Sequence, residues 1–118
     1  ENVKHIALKL TPNSYRVVPD VFEFRIKGTY FNEDWWATSK AVSVGEILEY
    51  RRDYTNQFDA HAILVCRSGL ELGFIPREYS KFLSAEIDIE EKEYEILVKS
   101  IHEEEGFSSI DVIMSNVG

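Results

Sequence analysis

The sequence predicts a mainly β domain, a small closed or nearly closed barrel of about six strands with one or two short helices. Three observations carry that expectation. Apolar and charged residues alternate with a period of two in Phe22-Glu23-Phe24-Arg25-Ile26-Lys27, the signature of a strand with one face on a core and one in water. A strand pair, Ala60 to Cys66 and Leu70 to Ile75, flanks the turn residues Arg67-Ser68-Gly69. Only one segment, beginning at Pro76, changes to helical spacing. Several short strands, hairpin turns and so little helix fit a small barrel better than a layered α/β domain.

Taken in order, Val3 to Leu10 reads as a first strand and Thr11-Pro12-Asn13-Ser14 as a loop. Residues 22–27 follow as a strand, and Ile47 to Arg51 as another. In the central hairpin, Gly69 accepts the positive φ that tight hairpin turns require. After Pro76, the residues Tyr79, Phe82, Leu83 and Ile87 recur at three- and four-residue intervals, so an amphipathic helix is expected at about 77–86. Proline suits the first helical turn because its missing N–H would have no partner there. Tyr94 to Lys99 and Ile110 to Met114 complete the strands. Asn32 to Ser43 reads as a loop containing Trp35-Trp36. On an extended chain these neighbours face opposite ways. Either one tryptophan is exposed at a surface for a protein partner or homodimer, or both are covered by the loop itself or by a partner subunit.

The 118 residues suffice for one core and are read as a single domain, 1–118. The composition, 44% hydrophobic and 29% charged, is that of a globular chain. Its seven Phe, six Tyr and two Trp could fill a barrel or line a stacking surface. The lone Cys66, inside Ala62-Ile63-Leu64-Val65-Cys66, permits no intramolecular disulfide and reads as a buried thiol. No stretch approaches the ~20 apolar residues of a membrane span, so no membrane partner is expected and a reducing, cytoplasmic setting is. The net charge of −8 is unevenly placed: residues 86–105 hold nine acidic side chains against Lys92 and Lys99. Between Tyr50 and Lys81, Arg51, Arg52, Arg67, Arg77 and Lys81 face Asp53, Asp59, Glu71 and Glu78. That balance allows a local nucleic-acid site but no broad basic face.

Catalytic chemistry finds little support. His5, His61, His102 and Cys66 are widely separated and show no zinc-ligand spacing, so no metal is expected. There is no nucleophile elbow, no phosphate-binding glycine loop and no dinucleotide fingerprint, so no catalytic residue and no cofactor is assigned. Glu90-Glu91 and Glu103-Glu104-Glu105 read as solvated charge runs; a cation site is the alternative.

The segment from Tyr50 to Arg77 is more specific. Arg52 precedes a loop with Asn56, then Phe58-Asp59, Ala62-Ile63 and Val65, and Gly73-Phe74-Ile75-Pro76 leads into the helix. This order and spacing resembles the HIRAN family, whose motif runs N-x-[YF]-D-x-x-A-I-x-V and then Gly-aromatic-[IV]-Pro. Gly28-Thr29-Tyr30-Phe31 falls where that family carries an earlier strand-end motif. The resemblance covers about residues 22–100.

The resemblance implies an OB-like barrel that captures the 3′ end of single-stranded DNA in repair or DNA processing. Asp59 would accept a hydrogen bond from the terminal hydroxyl, and Phe58 and Phe31 would stack on bases. Asn56 would touch base or sugar and Arg77 a phosphate, with Tyr30, Arg52 and Phe74 completing the DNA-binding set. Tyr30, Phe74 and Pro76 stand where DNA-binding members can carry arginine, histidine and lysine, which removes positive charge from the pocket. Each residue also has a structural reading. Asn56 and Asp59 could cap the loop, because both side chains bond readily to nearby backbone N–H groups. Phe31 and Phe58 could be core. Arg51 and Arg52, adjacent in a strand, must face opposite sides. The expected function is therefore a nucleic-acid-binding module. The alternative is a protein-interaction or structural domain of the same fold without DNA affinity.

Overall fold

The computed structural model describes residues 20–28, 35–104 and 107–118. The expected strand at residues 3–10 and loop at 11–14 lie outside the described residues. The rest forms six antiparallel strands: β1 (Val21–Arg25), β2 (Ile47–Arg52), β3 (Ile63–Arg67), β4 (Leu70–Phe74), β5 (Tyr94–Glu104) and β6 (Phe107–Asn116). They lie in one sheet in the order β1-β6-β5-β2-β3-β4. Two helices accompany them, α1 (Trp35–Ala41) and α2 (Arg77–Asp88). The sheet curls until its two outer strands meet. Just past β1, Lys27 donates its N–H to the Phe74 carbonyl at 2.9 Å and accepts the Phe74 N–H at 2.7 Å. Register shifts between Val65 and Cys66 and between Val98 and Ser100 supply local bends.

The period-two pattern does what it predicted. Phe22, Phe24 and Ile26 point inward from the β1 segment, and Leu48, Ile96, Val98, Ile110, Val112 and Met114 meet them. The turn between β3 and β4 has positive φ at both Ser68 (51°) and Gly69 (80°), the mirror-image turn whose twist suits a hairpin. β3 starts at Ile63, three residues later than the alternation suggested, because residues 59–62 are held in a turn by side-chain hydrogen bonds. β5 and β6 run longer than expected. Glu103 thus lies in a strand and pairs with Lys40 of α1 at 2.7 Å, where a solvated loop was expected.

The segment 32–43, read as a loop, contains α1. Its buried positions are Thr38, Ser39 and, just beyond its end, Val42, a helical spacing hidden from a hydrophobicity count by the two hydroxyl residues. The extended-chain argument about the adjacent tryptophans therefore fails, and their side chains lie outside the described residues. α2 extends two residues past its expected end. Pro76 is its N-cap, and the Pro76 carbonyl accepts the Tyr79 and Ser80 N–H groups at 2.9 and 3.0 Å.

Among the described residues, most aromatic rings pack into the barrel. Phe22 meets Tyr79, Phe82 and Tyr94 at centroid separations of 5.8, 5.7 and 6.4 Å, and Tyr79 also meets Phe24 at 5.7 Å. Such pairs add to the area they bury. Removing the ring at the centre of this cluster is expected to be expensive. Phe22→Ala should destabilise the fold by about 3–5 kcal/mol, read from urea denaturation.

Candidate functional site

The β2–β3 loop, residues 53–62, is ordered by two short polar side chains. Asn56 Oδ1 accepts the N–H groups of Phe58 and Asp59, both at 2.9 Å, while its amide donates to Asp53 Oδ2 at 3.1 Å. Asp59 Oδ1 accepts the His61 N–H at 2.9 Å. Asn56 and Asp59 thus cap the loop. The same arrangement drives Phe58 into solvent, with 84% of its surface exposed. A core role for Phe58 is excluded. A ring this exposed gains little from burial in the fold.

Three segments converge around that ring. The end of the β1 segment brings Lys27 and Gly28, the loop brings Asn56, Phe58, Asp59 and Ala62, and the β4–α2 junction brings Phe74 through Glu78. Together they line an open groove of about 930 Å³. Gly28 adopts φ 69°, a conformation L side chains avoid.

Charges in the groove balance. Arg77 is 71% exposed at the side chain; its Nη2 donates to the Phe58 carbonyl at 2.8 Å and its Nε lies 4.0 Å from Asp59 Oδ2. Ser80 Oγ lies 3.4 Å from the same carboxylate oxygen. A carboxylate has about four acceptor positions, so Asp59 keeps capacity for another donor. Lys27 is exposed and makes no ion pair among the described residues. Glu78 supplies the second acid. The start of α2 also faces the groove, adding the partial positive charge of a helix N-terminus.

Of the residues singled out from the sequence, Asn56, Phe58, Asp59, Phe74 and Arg77 come together here. Tyr30 and Phe31 lie outside the described residues. Arg52 does not line the groove: only 8% of its side chain is exposed, and its guanidinium binds Asp88 and the carbonyls of Ala60 and Ala62. Arg51, on the other face as expected, pairs with Glu71 at 3.1 Å. Sequence reasoning missed Lys27, whose one signal was its place immediately before Gly28-Thr29-Tyr30-Phe31. Elsewhere Cys66 is buried, burial pushes its thiol above the ordinary value, and His61 Nδ1 lies 3.1 Å from Ser84 Oγ. Among the described residues no cluster of His, Cys, Asp or Glu is arranged to hold a metal, and no helix is long and apolar enough to cross a membrane.

A family model, the HIRAN domain, matches residues 19–116. The chain belongs to the HIRAN family. HIRAN domains are binding rather than catalytic units and generally bind DNA. Two crystal structures share the fold. A protein from Lactobacillus plantarum superposes with a TM-score of 0.70 at 20% identity, over 80% of this chain and 89% of that one. The HIRAN domain of human HLTF superposes with a TM-score of 0.64 at 19% identity, over 81% of this chain and 74% of that one. No curated protein sequence matches significantly. At such identities the superpositions establish the barrel and say nothing of individual contacts.

Two outcomes test this geometry. Asn56→Ala removes three hydrogen bonds from the HIRAN loop and should cost about 1–3 kcal/mol in urea denaturation. Phe58→Ala, at an exposed site, should stay within about 0.5 kcal/mol of wild type.

Proposed function

We propose that the groove captures the 3′ end of a single DNA strand. The terminal base stacks on Phe58 and the terminal hydroxyl donates to Asp59, while Arg77 and Lys27 meet the adjoining phosphates. The observation that carries this reading is the pairing of a solvent-exposed, loop-fixed aromatic ring with a neighbouring carboxylate inside one groove. Base-on-ring stacking contributes about 1–3 kcal/mol and tolerates any sequence. A carboxylate welcomes a hydroxyl and repels a phosphate, so Asp59 favours a strand end over an interior position. The open side of the groove and its mainly apolar wall around Phe74, Ile75 and Pro76 suit a base and sugar. Among the described residues, two cations line the groove, Lys27 and Arg77, which fits a short contact with an end and not a long grip on backbone. A role in DNA processing or repair follows from recognition of ends.

Fluorescence polarisation with short labelled strands tests the reading. Binding should favour a 3′-hydroxyl over a 3′-phosphate, and Asp59→Asn should erase that preference. Phe58→Ala should weaken binding by about 1–3 kcal/mol while leaving the fold intact. With two phosphate contacts, log K against log salt should fall with a slope near −1.4, from about −0.7 per contact on a single strand. Absence of binding at ~50 mM salt, where phosphate contacts are strong, would overturn the DNA reading and leave protein interaction as the role of the domain.

A further inference from the structure

Arg52 ends β2 on the same side as Leu48 and Tyr50, yet it is a cation nearly out of water. All three guanidinium nitrogens are engaged. Nε donates to Asp88 Oδ2 at 2.9 Å, Nη1 to the Ala62 carbonyl at 2.5 Å and Nη2 to the Ala60 carbonyl at 3.1 Å. Tyr54 closes the arrangement: its hydroxyl donates to Asp88 Oδ1 at 2.8 Å, and the Arg52 guanidinium carbon lies 4.6 Å from its ring centre. Both ends of the 53–62 loop are therefore tied, through Arg52 and Tyr54, to one carboxylate at the last residue of α2. Two more ties lie along the same helix. Ser80 reaches Asp59, and Ser84 reaches His61. Ser80, Ser84 and Asp88 are spaced by four and so share one stripe of α2.

Burial pushes the Asp88 carboxyl up, but hydrogen bonds from Arg52 and Tyr54 and the charge of Arg52 outweigh it and hold the carboxyl below its ordinary value. The pair is thus charged at neutral pH, and none of Arg52, Asp88 and Tyr54 lines the groove.

We propose that Arg52 and Asp88 form a latch that fixes the conformation of the 53–62 loop and thereby sets the groove's affinity for a strand end. Arg52 is a positioning residue and not a DNA contact. This rests on the groove being the end-binding site. The physical basis is the population of the competent loop. A ligand that binds one conformation has its apparent affinity reduced by the fraction of chains that adopt it. Without the latch, residues 53–62 keep the Asn56 and Asp59 caps, the serine ties, the Arg77 contact to the Phe58 carbonyl and the loop's backbone hydrogen bonds. They lose the tie from both loop ends to the end of α2, and more of the ordering falls on the binding step.

The N–H groups of Phe58, Asp59 and His61 report the loop directly, because each donates to a cap within it. Amide hydrogen exchange of these three, with Ile96 and Val112 as core references, would be measured for wild type, Asp88→Ala and Arg52→Lys. Arg52→Lys keeps the charge and loses the three-way fork. Both variants should exchange faster at the three loop amides by on the order of tenfold, with the core unchanged. Both should bind a 3′-hydroxyl oligonucleotide weaker by a similar factor, since one opening equilibrium governs both readings. Uniformly faster exchange at loop and core would mean a general loss of stability and would overturn the latch. An opened loop with unchanged oligonucleotide affinity would overturn its control of binding. If wild type binds no oligonucleotide, the end-binding reading falls and takes the affinity claim with it, while exchange still decides the latch itself. A pH series gives an independent check. The unfolded chain takes up the Asp88 proton first as pH falls, so stability from the latch is fully present above the ordinary carboxylate value near ~3.9 and lost below it. Melting temperatures of wild type and Asp88→Ala should differ at about pH 6, and the difference should shrink as pH falls below the ordinary carboxylate value.

Discussion

Two backbone hydrogen bonds between Lys27 and Phe74 join the outer strands of the sheet, and the groove exists because they do. Elsewhere along β1 and β4 the outer edges pair with no strand among the described residues, so this single bridge is what brings the two ends of the curled sheet together. The junction spends the backbone groups of Lys27 and Phe74 on each other. It leaves the lysine side chain in solvent and the phenylalanine ring half-buried at the groove wall. Gly28 can then turn away at φ 69°, and Ile75 can donate its N–H to Ile63 at 3.0 Å before Pro76 opens α2. The bridge that joins the ends of the curled sheet also forms one wall of the groove.

The second organising element is α2, which serves two surfaces with two stripes. Tyr79, Phe82, Leu83 and Ile87 pack on the core, where Phe22 and Phe24 receive them. Ser80, Ser84 and Asp88 face the loop that carries Phe58 and Asp59. Burying two serines is tolerable only because both hydroxyls have partners, including the Arg77 and Lys81 carbonyls one turn back. A helix seated by its apolar stripe on a rigid barrel is a firm support for the loop. The position of the exposed ring is in this way referred back to the core through a dozen residues of helix. A site built so needs little rearrangement to meet a ligand, which lowers the ordering cost of binding.

How much of this was legible in the sequence differs from element to element. Strand alternation located β1, β5 and β6, and the Ser-Gly turn located the β3–β4 hairpin, because burial on one side of a sheet writes itself as a period of two. The spacing of Asn56, Phe58 and Asp59 marked the loop: the capping reading of the polar pair holds, while the core reading of Phe58 fails because the ring points out. What sequence could not supply was partner choice. Arg52 looks like any strand-end arginine until Asp88, thirty-six residues away, is seen to hold it. Lys27 looks like a solvated strand residue until the sheet closes beside it. α1 escaped because its buried positions are Thr38 and Ser39, which no hydrophobic count registers.

The charge of the chain looks at first like an objection to any contact with DNA. Its distribution answers the objection. The acidic run begins at Glu86, at the far end of α2 from Arg77, and continues into β5. The twelve residues of α2 span about 18 Å, while screening in ~0.1 M salt acts over about 10 Å. The groove therefore responds mainly to its own charges: Lys27, Arg77 and the helix N-terminus against Asp59 and Glu78. Part of the acidic run is also neutralised within the fold, Asp88 by Arg52, Glu86 by Lys92 and Glu103 by Lys40. On the proposed reading, a balanced pocket at one end of a strongly acidic domain would repel long backbone and tolerate a terminus. Selectivity would then come as much from what the surface refuses as from what the groove accepts.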